Sequence, residues 1–253
     1  MRNRHGFTII EVSFFLAITG LIFLGVTMGV QNSIYRQRYN DSVQSFVEFL
    51  RGVYAQTTNV QNIDNGRTDK AIYGKLVTFG ETKNPLKEDN KDKAIFTYDI
   101  VGDVQGIDES GGSSIQELLI KRKADVMVKE LENGVEKLKP AGIVESYIPK
   151  WSATIQNVNG SHFKGALLIV RHPRSGSIYT LFNKNTIEVN KKNSEGVLFN
   201  ELGGFELTDV DFCVTPDGLV GLKGRADVRI KKRAAGSAGI ETYYDYDNKC
   251  DNG

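Results

Sequence analysis

Between Val12 and Val30 the chain runs for 19 residues without a charged side chain. As an α-helix this stretch is about 28 Å long, close to the hydrocarbon thickness of a bilayer. One carboxylate, Glu11, stands directly before it. Hydrocarbon has no water to solvate a charge, so a carboxylate near the end of a membrane segment costs up to a few kcal/mol unless something pairs with it. A merely greasy anchor has no use for Glu11.

Residues 1–6 carry Arg2, Arg4 and His5, the charge bias that holds an N-terminus on the cytoplasmic side. A secretory signal has a shorter apolar core and a small-residue cleavage site after it. Here the candidate cleavage site, after Gly6, precedes the apolar run, which therefore stays attached to the mature chain. Lys plus Arg number 32 against 31 Asp plus Glu, a formal charge of +1, and loss of Arg2 and Arg4 makes it +1 − 2 = −1. That balance argues against a chain built as a general nucleic-acid binder. With 40% hydrophobic residues, 9% aromatics and 26 glycines, the remainder reads as a folded body with many turns.

The segment GFTIIEV, followed by an apolar helix, resembles the class III signal of type IV pilins and type II secretion pseudopilins. The family pattern of a Gly, a cut, a Phe and a Glu at the fifth mature position falls on Gly6, Phe7 and Glu11. The resemblance implies that a prepilin peptidase cuts between Gly6 and Phe7 and that the new Phe7 amine is N-methylated. It implies storage in the inner membrane as a single-pass protein with its N-terminus inside, then assembly into a surface filament. The implied partners are other pilin subunits, an inner-membrane platform protein and an assembly ATPase. In such a filament Glu11 would meet the Phe7 amine of a neighbouring subunit. Pairing offsets the desolvation of both groups, and an unpaired charge opposes wrong registers. Gly25-x-x-x-Gly29 permits close helix packing, and Gly20 marks a place where the helix could loosen. The chain departs from many family members in having no proline between residues 7 and 62.

From Gln31 the pattern turns amphipathic without a break. Tyr35, Tyr39, Val43, Phe46, Leu50, Val53 and Thr57 recur at spacings of three and four, which predicts one buried helical face. A helix from about 7 to 60, ended by the turn residues 62–66, follows. Beyond it, short β-branched and aromatic runs bounded by turn residues predict strands at 71–79, 94–101, 152–158, 165–170, 177–182, 205–214, 226–232 and 240–246. In 205–214 the alternation places Phe205, Leu207, Val210, Phe212 and Val214 on a common face. Residues 215–218, Thr-Pro-Asp-Gly, form a strong turn, and this strand–turn–strand is similar to the body of an H-type pseudopilin or minor pilin. Residues 81–93 and 102–114 read as connections, and the pattern in 115–140 admits a short helix followed by a strand without deciding it. The fold expected is α+β, a long N-terminal helix packed by its C-terminal half on a mainly antiparallel sheet, the pilin fold by resemblance. Its parts are a leader (1–6), a membrane or filament-core half-helix (7–30), an amphipathic half-helix (31–62) and a β-rich globular domain (63–253).

Cys213 and Cys250 are the chain's two cysteines. A body outside the cytoplasm favours a disulfide, with a pair of buried thiols as the alternative. The bridge would close a loop of 250 − 213 + 1 = 38 residues. Three histidines and no nucleophile elbow, P-loop, dinucleotide fingerprint or H-E-x-x-H leave no basis for expecting an enzyme, a cofactor or a metal centre. Two charge features compete with bland readings. Lys231, Lys232 and Arg233 would contact DNA phosphates if exposed together, but more simply form a solvated strand end. Asp245, Asp247, Asn248 and Asp251 offer oxygen ligands to Ca²⁺ without the spacing of a known loop. The reading is a structural subunit of a type IV pilus or related filament. A body of 253 − 63 + 1 = 191 residues favours a minor pilin or pseudopilin. The alternative is a membrane-stalked module that binds DNA or a surface and does not polymerise.

Overall fold

A single helix, α1 (Ile9–Thr58), runs for 50 residues, about 75 Å, without interruption. In the computed structural model the described residues are 8–58, 70–80, 94–103, 114–132, 135–140, 145–151, 153–173, 175–187, 189, 202–216, 225–232, 234, 236–244 and 250. The expected turn at 62–66 and the charged loop at 81–93 lie outside them. Past Thr58 the chain forms β1 (Lys70–Phe79), β2 (Ile95–Asp103), α2 (Ile115–Lys121), β3 (Asp125–Glu132), β4 (Val135–Pro140), β5 (Glu145–Tyr147) and β6 (Thr154–Gln156). It continues with β7 (Gly165–Arg171), β8 (Ile178–Asn183), β9 (Val210–Thr215), β10 (Ala226–Ile230) and β11 (Ile240–Tyr243).

These strands make two sheets. The larger has the order β4-β3-β2-β1-β7-β8, with β5 also paired to β2, and the smaller has the order β11-β10-β9-β6. Every strand pair is antiparallel. The α+β class and the long helix laid on antiparallel sheet are therefore as expected.

The C-terminal half of α1 is held between the two sheets. Val43, Phe46, Val47, Phe49, Leu50, Val53 and Tyr54 form one core with Val77 and Phe79 of β1, Leu167 and Ile169 of β7, and Phe212 and Val228 of the smaller sheet. The expected stripe is buried from Val43 onward, and Tyr35 and Tyr39 are half-buried at its lower end. Val47, Phe49 and Tyr54 widen it, because a helix with sheet on two sides buries more than one stripe. Phe46 meets Phe212 edge-on at 5.4 Å, and Phe49 stacks on Tyr147 at 4.6 Å.

Polar side chains fix the helix's rotation within that core. The Tyr39 hydroxyl donates to the Val214 carbonyl at 2.8 Å and accepts from the Ala226 N–H at 2.6 Å, bridging β9 and β10. Ser42 Oγ donates to the Lys150 carbonyl, and the Tyr54 hydroxyl bonds Thr180 Oγ1 on β8 at 2.6 Å. At the helix end, where no basic residue occupies the last turn, Arg171 Nη1 donates to the Thr58 carbonyl at 2.7 Å. A cation there satisfies an orphan carbonyl and suits the helix dipole.

A second core lies on the far face of the larger sheet. Leu76, Phe96, Tyr98, Ile100, Leu168 and Leu181 pack there against Leu118 and Leu119 of α2 and against Phe205. Burial on both faces explains why β7 reads as a continuous apolar run, GALLIV, rather than an alternating one. Gly74 sits where β1 shifts register against β2, and a Cβ there would lie 2.1 Å from the Ile169 carbonyl oxygen. Only glycine lets the strands approach so closely.

Three expectations need correction. Residues 205–214 are not one strand: Glu206 bridges Phe182 on the edge of β8, Phe205 belongs to the second core, and Leu207 is 45% exposed. The chain leaves the larger sheet's edge before β9 begins, so Phe205 and Leu207 do not share the face of Val210, Phe212 and Val214. Residues 115–140 hold a helix and a two-strand hairpin, β3 with β4, rather than a helix and one strand. The cue was Asn133-Gly134, a strong hairpin signal. The strand expected at 152–158 shrinks to Thr154–Gln156.

Burial pushes the Tyr54 phenol up to about 12 from its ordinary 10, against a smaller lowering by Thr180. The folded state therefore holds the phenol's proton where the unfolded chain loses it. The associated stability is complete below pH 10 and is lost as pH rises through about 12. Tyr54→Phe should cost about 1 kcal/mol at neutral pH and make the alkaline loss of stability shallower. Urea denaturation of the detergent-solubilised chain across that range measures both effects.

Candidate functional site

Below Tyr35 the helix stands clear of the body. Ile9, Ile10, Phe14, Phe15, Leu16, Leu21, Ile22, Phe23 and Leu24 are all more than half exposed. This half of α1 is long and apolar enough to cross a membrane. Its polar atoms are already satisfied within the helix. The three hydroxyls between Val12 and Val30 donate to carbonyls a turn back: Ser13 to Ile9 at 2.9 Å, Thr19 to Phe15 at 2.7 Å and Thr27 to Phe23 at 3.0 Å. Hidden in this way, a hydroxyl adds no unpaired donor to an apolar surface. Around Gly20, Gly25 and Gly29 a Cβ would meet nothing within 4 Å, so the notches these glycines leave are open.

Glu11 has a role at the start of the helix. Its Oε2 accepts the Thr8 backbone N–H at 2.9 Å and the Thr8 hydroxyl at 3.0 Å, while the Glu11 N–H reaches back to Thr8 Oγ1 at 3.3 Å. With Ile9 as the first helical residue, Thr8 is the N-cap and Glu11 the third helical position, a reciprocal capping box. The Thr-x-x-Glu spacing was the sequence cue for it. Glu11 Oε1 takes part in none of these bonds. Gly6 and Phe7 lie outside the described residues.

At the other end of the chain, Cys213 on β9 and Cys250 are joined, with Sγ atoms 1.99 Å apart and both residues buried. The bridge ties Cys250 to the smaller sheet's face away from α1. Arg225 Nη1 adds a bond to the Cys250 carbonyl at 3.3 Å. The question the sequence left open, bridge or thiols, is settled in favour of the bridge.

The same face carries a charge ladder. Arg229 bonds Asp211 at 2.5 Å and Asp227 at 2.7 Å and lies 4.7 Å from the centre of the Tyr243 ring. Burial works against its charge, but the two carboxylates hold its pKa above the ordinary arginine value. Lys231 pairs with Glu241, whose other oxygen accepts the Tyr243 hydroxyl. The hydrogen bond from Lys231 lowers the Glu241 pKa, and the bond to Glu241 raises those of Lys231 and Tyr243. Of the basic run, Lys231 is thus engaged with Glu241, Lys232 is exposed with its N–H bonded to Asp209, and Arg233 lies outside the described residues. Asp245, Asp247, Asn248 and Asp251 also lie outside them, and no cluster of metal ligands occurs among the described residues.

A cleft of about 940 Å³ opens between the turn after β6 and the segment before β9. His162, Lys164 and Lys184 line it together with Asp209 and Asp211. Charges of both signs share its walls, so it focuses no single sign of field. His172, half-buried elsewhere, accepts the Ser175 N–H at its Nδ1. In comparisons with known proteins, no family profile, no curated protein and no solved structure matches the chain.

The bridge closes a loop of 250 − 213 + 1 = 38 residues, worth about 4 kcal/mol by the chain-entropy relation. Cys213→Ser with Cys250→Ser should lower the thermal midpoint markedly, and reduction of the wild-type chain should reproduce that loss. Differential scanning calorimetry with and without reductant checks both.

Proposed function

We propose that the chain is a structural subunit of a type IV pilus or related filament, a minor pilin or pseudopilin with a pilin fold. One observation carries the reading. Gly6, Phe7 and Glu11 stand in the spacing of a prepilin signal directly ahead of an apolar half-helix that makes no core with its own body. Apolar surface on that scale does not stay in water. It is stored in the inner membrane and, on assembly, moves into a bundle of the same helices from other subunits.

In this reading prepilin peptidase cuts between Gly6 and Phe7, Phe7 is N-methylated, and the platform protein and assembly ATPase drive extraction. The open notches at Gly20, Gly25 and Gly29 admit neighbouring helices. Glu11 serves twice, as a helix cap in the single chain and as the partner of a neighbour's Phe7 amine in the filament. The two roles are compatible, because the cap uses Oε2 and leaves Oε1 out of its bonds.

The two roles also separate experimentally. Gln serves at the third helical position of a capping box as Glu does, but it brings no charge to an amine. Glu11→Gln should keep insertion and cleavage while lowering incorporation into filaments at least about tenfold, since one charge of a desolvated pair is then left alone. Glu11→Ala should lose the cap as well. Wild-type filament yield from Glu11→Gln would sink the assembly role and leave Glu11 a capping residue only. Separately, Gly6→Val should block cleavage, read as an unprocessed N-terminus by sequencing.

A further inference from the structure

Where the body first meets the helix, it presents its only tryptophan. Trp151 is 47% exposed, and Arg38 of α1 lies over its ring at 4.9 Å from the centroid. Among the described residues this is the first ring contact or hydrogen bond between α1 and the body on the way up from the apolar half. The Ser42 bond to the Lys150 carbonyl, one turn higher, holds the same segment against the helix.

The backbone is strained to place that ring. Trp151 has φ of 55°, a left-handed conformation that a glycine would adopt freely and a bulky aromatic rarely does. The neighbouring Ala153 N–H bonds back to the Lys150 carbonyl at 3.1 Å and closes the turn. Such strain costs of order 1 kcal/mol or more, yet the ring it positions is half in solvent and contributes little to the core.

Two exposed cations adjoin the ring, Arg38 over its face and Lys150 as its chain neighbour, and Arg36 is exposed two residues below Arg38 on α1. Exposed carboxylates on the same segments are Asp41, three residues above Arg38 on α1, and Glu145 on β5. Arg38 lies 38 − 30 = 8 residues beyond Val30, which is about 12 Å along the axis. Ile34, 41% exposed, carries apolar surface halfway across that gap. A headgroup layer is about 5–8 Å deep, helical side chains lean towards the N-terminus, and spanning helices tilt. Together these bring the guanidinium of Arg38 and the indole beside it to headgroup level. Indole rings favour that layer, and cations are drawn to anionic headgroups.

We propose that the underside of the body around Trp151, Arg38 and Lys150 docks on the anionic headgroup layer of the membrane that holds α1, with the Trp151 ring in the interface. The proposal rests on the reading of α1 as membrane-spanning before assembly. Docking fixes the height and rotation of the body above the bilayer, so that each stored subunit presents the same face to the next.

Because Trp151 is the sole tryptophan, its fluorescence reports this site alone. The full-length chain is reconstituted into vesicles of phosphatidylcholine, or of equimolar phosphatidylcholine and phosphatidylglycerol, and compared with the chain in neutral detergent. Flotation with the vesicles is scored separately. In the anionic vesicles Trp151 emission should shift to the blue, be quenched by lipid brominated on the upper acyl chain, and resist aqueous iodide. Arg38→Glu and Lys150→Glu should each lower the docked-to-undocked ratio at least about fivefold, and raised salt should act in the same direction. Lys164→Glu, a charge reversal in the cleft, whose lining includes none of Trp151, Arg38 and Lys150, should leave the signal unchanged. A chain that floats while Trp151 stays open to iodide, with no lipid quenching, overturns the docking alone. A chain that does not float overturns the membrane reading and the docking with it. Equal quenching in neutral and anionic vesicles overturns the electrostatic part of the argument.

Discussion

The continuity of α1 is the constraint on which the structure depends. One hydrogen-bonded rod of 50 residues carries an apolar half that its own chain does not cover and a second half that is the spine of the body. A rod transmits position: where Val43 to Tyr54 are fixed between the sheets, the orientation of Leu16 and Phe23 is fixed as well. Tyr39, Ser42, Tyr54 and the Arg171 contact with Thr58 hold the rod against rotation and sliding. At the other end the Thr8–Glu11 cap keeps the first turn closed.

The two sheets differ in what they contribute. The central strands of the larger, β1, β2, β7 and β8, are buried between α1 on one side and α2 with Phe205 on the other. The smaller packs one face on α1 and turns the other outward, where ion pairs and the Cys213–Cys250 bridge replace apolar burial. A face with Asp227 buried beside Arg229 is stable only while both stay paired, because a single desolvated charge is costly. The covalent bond from Cys213 holds Cys250 against that face. The strain at Trp151 stands apart from this pattern, since its exposed ring gives little packing in return.

Legibility followed the strength of periodicity. The stripe from Val43 to Thr57 was readable because a half-buried helix repeats every three or four residues, and β7 was readable as an apolar run bounded by turns. The segment from Phe205 to Val214 misled because its alternation spans two sheets: the Glu206 bridge to Phe182 ends one pairing before β9 begins another. Thr8-x-x-Glu11 and Asn133-Gly134 are local signals of known chemistry, but each is only two to four residues long and lies inside a stretch whose stronger pattern points elsewhere.

What the sequence by itself determined is local. It specified a helix long and apolar enough for a membrane, an amphipathic continuation, the sites of most strands, and the unusual position of Glu11, because each depends on residues a few places apart. Only the tertiary structure decided which sheet each strand joins, that Cys213 reaches Cys250, that Lys231 is neutralised by Glu241, and that Trp151 stacks on Arg38 beside the emergent helix. Those facts join residues from about ten to more than a hundred positions apart, and no pattern along the chain encodes such distances. They arise when burying both faces of a sheet and one half of a helix leaves a single arrangement that satisfies the polar groups carried along.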